Sequence, residues 1–401
     1  MKMKFMRIAI ALLPALVVVN AAAAQPDSKK LQVFILAGQS NMVGHSYYIT
    51  VPHLLAAKEP EVRKLGELVF RKGSKISRAD VEDLIATRMK RDELNKGLRK
   101  KEIEAAAEAA AKTEIKKLQE QVDAKMQNIK DTFVVSRQVY ITAIADGNKG
   151  SGPLTVGYGG SPDKIGPEFG FGLSMAEELD APILIIKTSW GGKSLNYNFR
   201  PPSAGPYELN EKEKAGDKAE DIRKNASLNW RMMNEAVHAV LKDLKKHHPA
   251  YDPAVGHDMA GFVWFQGFND QFSDAFRNNY RDNMVHFVKD VRKEYDAPKM
   301  PFVIGVLGTN MTKEGVDKNA VSVAQREAAA APEFKGNVAA VESYKVYDLE
   351  ARAVYDKGWS KHFAEWCVVG SDRPYHYLGS GKFFVRLGDA FAKSMIDLMQ
   401  Q

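Results

Sequence analysis

The chain has 401 residues, 45% of them hydrophobic, with Lys+Arg 57 against Asp+Glu 50 and a formal charge of +7. That is ample core for one large domain or two smaller ones, while the modest, mixed-sign basic surplus makes no case for a nucleic-acid partner, and none is expected. A single cysteine, Cys367, excludes an intramolecular disulfide framework and a cysteine-built zinc cluster.

Residues 1–24 have a basic start, a short apolar run and a small-residue end, the pattern of a secretory signal peptide cut near Ala24. The mature chain would then act in the periplasm or be secreted. No second run is long and apolar enough to anchor it stably in a membrane. A strand follows at 31–37 (LQVFILA), and the polar turn Gly38-Gln39-Ser40-Asn41 ends it. From 58 to 131 the chain is rich in Lys, Glu and Ala, with Ile115, Leu118, Val122 and Ile129 at roughly heptad spacing. This predicts a long helix or helical hairpin inserted after the first strand. It reads as a solvated structural insertion separable from the chemistry, with homo-oligomerisation through it as the alternative.

Beyond it, apolar β-rich runs begin at Arg137 (RQVYITAI), at 181–187 (APILIIK), 261–266 (GFVWFQ), 301–308 (PFVIGVLG) and at Asn337 (NVAAVES), and helical patterns cover 168–179, 227–247, 274–294, 318–331 and 380–399. Continuous apolar strands separated by helices require a parallel sheet covered on both faces. The expected fold is therefore α/β, a three-layer α/β/α sandwich with a mainly parallel sheet, its main domain formed by 25–57 and 132–401.

Ser40 lies just past the carboxyl end of such a strand, where ligands of parallel sheets bind. There it is either a nucleophile with the N–H groups of the turn aimed at its target, or a helix cap. At the end of 181–187, TSWGGKSL supplies Gly191 and Gly192, whose backbone can approach a ligand closely. After 261–266, WFQGFND supplies Asn269, a neutral donor for an oxyanion or a brace for its own turn. Near the C-terminus, SDRPYHYLGSGKFF places His376 in a loop before the last helix. Together these groups make acyl transfer through a tetrahedral intermediate. Gln39, Trp190, Gln266 and Tyr375 are candidate substrate contacts, although aromatics at strand ends also serve as core. Glu168, at a helix start, reads as structural, and His45 as a solvated turn residue. No His/Asp/Glu spacing suggests a metal site, so neither metal nor cofactor is expected.

In this order, FILAGQSNMVGH, KTSWGGKSL, VWFQGFND and the late histidine resemble the four blocks of the SGNH hydrolase superfamily. Within it they resemble the sialate O-acetylesterase-like (SASA) and carbohydrate esterase family 6 branch. The resemblance covers most of 31–399 apart from the helical stretch. It implies an SGNH/flavodoxin-like fold, Ser40 as nucleophile, His376 as general base and acid, and an oxyanion hole made by the Ser40 N–H, a glycine N–H at Gly191 or Gly192, and the Asn269 side chain. The implied activity is a carboxylic ester hydrolase that removes O-acetyl groups from carbohydrates through an acyl-enzyme. One departure stands out: the family's aspartate, three positions before the histidine, is Arg373 here, and the nearest carboxylate is Asp372. The third catalytic member is then Asp372, another acid such as Asp270 or Glu342, or a backbone carbonyl. A lipase or thioesterase would use the same groups, and a non-catalytic glycan-binding protein retaining the fold is the reading from another class.

Overall fold

A computed structural model describes residues 29–146 and 148–401. The expected leader, 1–24, lies outside the described residues. The main sheet consists of β1 (Leu31–Gly38), β2 (Val139–Ala145), β3 (Asn148–Pro153), β4 (Ile183–Ser189), β5 (His257–Phe265), β6 (Phe302–Val306) and β7 (Val338–Glu342), in spatial order β3-β2-β4-β1-β5-β6-β7. Neighbours are parallel except for β2 and β3, which pair antiparallel at one edge. β3 has no counterpart in the sequence reading, because NKGSGP lacks apolar alternation. It forms as a hairpin extension whose hydrogen bonds are supplied by β2.

The central strand β1 aligns Ile35 with Ile186 of β4 and Phe262 of β5, so register and pleat sort its side chains onto two faces. Phe34 and Leu36 join one hydrophobic cluster, and Val33, Ile35 and Ala37 join another. The helices that matter here are α1 (Ser40–Val43), α2 (Arg78–Arg99), α3 (Glu108–Lys130), α4 (Pro167–Glu178), α5 (Leu228–Leu241), α6 (Asp274–Glu294), α7 (Ala320–Ala329) and α8 (Gly381–Met399). Phe169 and Phe171 of α4 and Phe383, Phe384, Leu387 and Phe391 of α8 cover the first face. α5, α6 and α7 cover the second. On α6, Tyr280, Met284, Phe287, Val288 and Val291 recur at helical spacing and are all buried, the apolar stripe a surface helix presents to a core. The result is a mixed α/β protein with a seven-stranded, mostly parallel sheet between helices.

Helices α2 and α3 form an antiparallel pair, joined by Lys125–Asp83, by Lys90–Glu114 at 3.2 Å and by Arg91–Gln119 at 2.6 Å. Their near ends are not solvated. Val81, Leu84 and Ile85 of α2 and Val122 and Ile129 of α3 belong to the same cluster as Phe34 of the central strand. The expectation of a separable solvated arm therefore holds at most for the far end, since removing 75–130 would strip five core side chains from the main domain. Among the described residues, no helix is long and apolar enough to cross a membrane.

Candidate active site

The end of β1 passes directly into α1. The cap position falls on Gln39, whose carbonyl accepts from Met42 N–H at 2.8 Å and Val43 N–H at 2.9 Å, so Ser40 is not a cap. As the first helical residue, Ser40 has a backbone N–H without an intrahelical acceptor. Gly44 closes the turn at φ +88°, and a Cβ there would fall 2.3 Å from Gly166 Cα, which leaves no room for another residue. From β4, Lys187 reaches beneath the turn. Its Nζ donates to Val43 O at 2.8 Å, Tyr158 O at 2.8 Å and Glu168 Oε2 at 2.7 Å, and both members of the ion pair are fully buried. Burial lowers the pKa of Lys187, while Glu168 opposes that shift. Glu168 also accepts from Gly166 N–H at 2.8 Å, which fixes it as a structural group.

The oxyanion side is assembled around Gln39, itself buried. Its Oε1 accepts from Gly267 N–H at 3.2 Å, Asn269 N–H at 3.3 Å and Gln266 Nε2 at 3.2 Å, and its Nε2 donates to Asn269 Oδ1 at 3.1 Å. That last bond occupies the amide oxygen of Asn269 and leaves its NH₂ as the group available to a ligand. Gln266 continues the network to Asp270 Oδ2 at 2.6 Å, which also accepts from Leu195 N–H at 2.9 Å, and Asn196 N–H donates to Asp270 Oδ1 at 3.0 Å. Burial pushes the Asp270 carboxyl up to about 6 although these hydrogen bonds pull it down. Three sequence expectations are corrected here. Gln266 braces the turn and lies outside the cavity lining, Gln39 braces the turn while also lining the cavity, and buried Trp190 packs 6.0 Å from Phe199 as core. The Gly191 N–H donates to Asp146 Oδ2 at 2.6 Å, so it is already spent. Gly192, at φ +66° with open space where a Cβ would be, remains as the glycine of the pair that can serve an oxyanion.

The candidate base, His376, lies on the loop before α8. His376 Nδ1 and Asp372 Oδ2 are 2.5 Å apart. The one-residue departure from the family pattern is absorbed by three consecutive residues in the left-handed region, His376 (φ 52°), Tyr377 (φ 50°) and Leu378 (φ 63°). Non-glycine residues hold such angles only where the surroundings over-determine them. Here the Tyr377 hydroxyl accepts from Gly308 N–H and pairs with Ser343 Oγ, both at 3.0 Å, and its ring stacks on Phe383 at 4.0 Å. Leu378 O accepts from Ser371 N–H at 2.9 Å and Asp372 N–H at 3.1 Å, which turns the acid back towards the histidine. Burial raises the Asp372 pKa, but the hydrogen bond and charge of His376 outweigh it and the net shift is downward. The other acids are engaged elsewhere: Asp270 as above, and Glu342 with Arg326 at 2.5 Å.

His45 was not legible as a site residue from the sequence. It stacks on His376 with ring centroids 4.2 Å apart and 23° between planes. Burial, then the charges of His376 and Lys164, push its pKa down to about 4, so it is neutral at neutral pH. Ser371 ties the two halves together: its Oγ donates to Gly379 O at 2.8 Å, accepts from Tyr47 N–H at 3.2 Å and lies 3.3 Å from His45 O.

A cavity of about 520 Å³ is lined by Ser40, His45, Gly192, Asn269 and His376, with Phe268, Thr309, Tyr347, Tyr375 and Tyr377 around them. The sequence offered no signal for Phe268, Thr309, Tyr347 or Tyr377, which arrive from separate loops. Among the described residues, two groups bring metal-ligating atoms within 4.8 Å of one another: His45, Asp372 and His376; and His53, Asp348 and Glu350. In the first, the Asp372 carboxylate is already bonded to the imidazole. In the second, Lys382 Nζ lies 2.9 Å from Glu350 and occupies the position of a cation.

Residues 148–354, just over half of the chain, match the family described as carbohydrate esterase, sialic acid-specific acetylesterase. That span contains Gly192 and Asn269 but neither Ser40 nor His376. No curated protein matches. Similar solved structures include a protein from Arabidopsis thaliana, 14% identical over 92% of this chain and 98% of that one, TM-score 0.43. A carbohydrate acetylesterase from Xanthomonas citri is 12% identical over 79% of this chain and 51% of that one, TM-score 0.39. NanS is 10% identical over 79% and 78%, TM-score 0.36.

Proposed function

The chain belongs to the sialic acid-specific acetylesterase family of carbohydrate esterases, and from that premise we propose that it removes O-acetyl groups from carbohydrates through an acyl-enzyme on Ser40. The observation that carries this reading is the convergence, in one cavity, of Ser40, Asn269 and His376, with Asp372 bonded to His376 behind it. His376 takes the Ser40 proton as Oγ attacks the acetyl carbonyl, and Asp372 stabilises the imidazolium that forms. The oxyanion accepts from the Ser40 and Gly192 N–H groups and from Asn269 Nδ2. His376 then protonates the departing sugar oxygen, which leaves as a hydroxyl, and water, activated by the same imidazole, releases acetate and returns the proton to Ser40. His45 holds the face of the base ring while adding no charge to it. The basic, apolar and small-residue sequence of 1–24 supports action outside the cytoplasm. The test is acetate release from O-acetylated sugars together with labelling by a serine-directed phosphonate. Wild type should release acetate and carry the label on Ser40, and Ser40→Ala should do neither. Full activity in Ser40→Ala overturns the mechanism.

A further inference from the structure

At the mouth of the cavity stand three aromatic rings from two loops. Phe268 and Tyr375 line the cavity, whereas Phe272 lies outside it. Phe272 is 69% exposed and Tyr375 56%. The Phe268 ring meets Phe272 at 5.2 Å and 77°, and Tyr375 at 6.3 Å and 84°, so the three form one connected edge-to-face set. The loop that carries Phe272 is pinned. Asp270 is buried beneath the N–H groups of Leu195 and Asn196, the Gln271 carbonyl accepts from Arg277, and the Gln271 amide oxygen accepts from Asn319 at 3.1 Å. A fixed backbone therefore holds Phe272 out in water. Large exposed apolar groups beside a site mark a surface that something covers.

The occupant is constrained by position. The acyl carbonyl must sit inside the cavity, against Ser40 and Asn269, so an acetyl group does not reach Phe272. What extends outward from the ester is the alcohol part, and in a carbohydrate that means further sugar. A pyranose has an apolar C–H face, suited to an aromatic ring, and a hydroxyl edge that stays in water. We infer that Phe268, Phe272 and Tyr375 form a subsite for a second pyranose ring next to the acetylated one, which makes the substrate an oligosaccharide or polysaccharide rather than a free monosaccharide. This rests on the carbohydrate esterase reading.

Two measurements test it. In the Ser40→Ala protein, calorimetric titration with unacetylated cellohexaose, xylohexaose and hexagalacturonate should detect binding of at least one, and adding Phe272→Ala should weaken that binding ~tenfold while Phe272→Trp retains it. In the active enzyme, the ratio of kcat/KM for the acetylated hexasaccharide to that for the acetylated monosaccharide should fall by a similar factor in Phe272→Ala. No binding of any hexasaccharide, or a ratio unchanged by Phe272→Ala, overturns the subsite. So does a wild-type dimer that Phe272→Ala converts to monomer, since the rings would then belong to a contact between copies. Absence of acetate release from every carbohydrate would refute the esterase reading, whereas the titration reads the subsite alone.

Discussion

The two halves of the site are built in opposite ways. The half that carries the proposed nucleophile and oxyanion donors sits on the ends of β1, β4 and β5 and is braced by buried polar groups: Lys187 with Glu168 under the Ser40 turn, and Gln39, Gln266 and Asp270 behind Asn269. The base half is a partly exposed loop held by one buried tyrosine, the Ser371 clamp and the Asp372–His376 bond. On the proposed mechanism, the difference follows from what each half does. Oxyanion donors stabilise charge by being preorganised and must not reorient, whereas the histidine has to receive a proton from one atom and deliver it to another.

The comparison is sharpest where the base half loses its acid. Asp372→Asn should lower kcat on the order of ten-thousandfold, as in the template triad, with folding intact by circular dichroism. A near-wild-type kcat beside an inactive His376→Ala would reduce the base half to a dyad. Next in size is the pin of the rigid half. Lys187→Met leaves Glu168 buried and unpaired, and should cost about 3–5 kcal/mol of stability in denaturant titration, most of it recovered by adding Glu168→Leu. Equal stability in Lys187→Met would mean that the turn does not depend on the pair. Asn269→Ala should reduce kcat roughly a hundredfold or more, with a loss of about 1–3 kcal/mol of stability because Gln39 Nε2 loses its acceptor, and an unchanged kcat would return Asn269 to a bracing role.

A smaller effect separates His45 from its partner. The groups acting on it are His376, Lys164, Asp372 and Lys187, and with its own pKa at about 4 it is neutral at neutral pH. His45→Lys sets a fixed cation against the face of the His376 imidazole and opposes the imidazolium that forms as Ser40 attacks, so it should lower kcat ~tenfold at neutral pH. A kcat equal to wild type would show the two rings to be uncoupled. The smallest change is expected from replacing residues 95–112, the far end of the α2–α3 pair, with a Gly/Ser linker: kcat on a small acetyl ester should be preserved, because Val81, Leu84, Ile85, Val122 and Ile129 remain in the core. Loss of kcat in a folded variant would tie that end to the site.

The sequence by itself determined every strand of the main sheet except β3, because buried parallel strands read as continuous apolar runs, and it marked α6, which carries an unbroken helical stripe. It also picked out Ser40, Asn269, Asp372 and His376 as site candidates, since strand-end turns are local and their residue types carry the chemistry. It could not show which groups are already occupied. Gly191 and Gly192 are indistinguishable as letters, and only Asp146, arriving from the end of β2, spends one of the two N–H groups. Gln266 read as a substrate contact until the fold joined it to Gln39 and to Asp270. The reach of Asp372 depended on left-handed angles at His376, Tyr377 and Leu378, which no residue type there favours and which the hydrogen bonds of Tyr377 to Gly308 and Ser343 enforce. His45 acquired its place against His376 from long-range packing, because side chains 331 positions apart in the chain share no local pattern that could announce their contact.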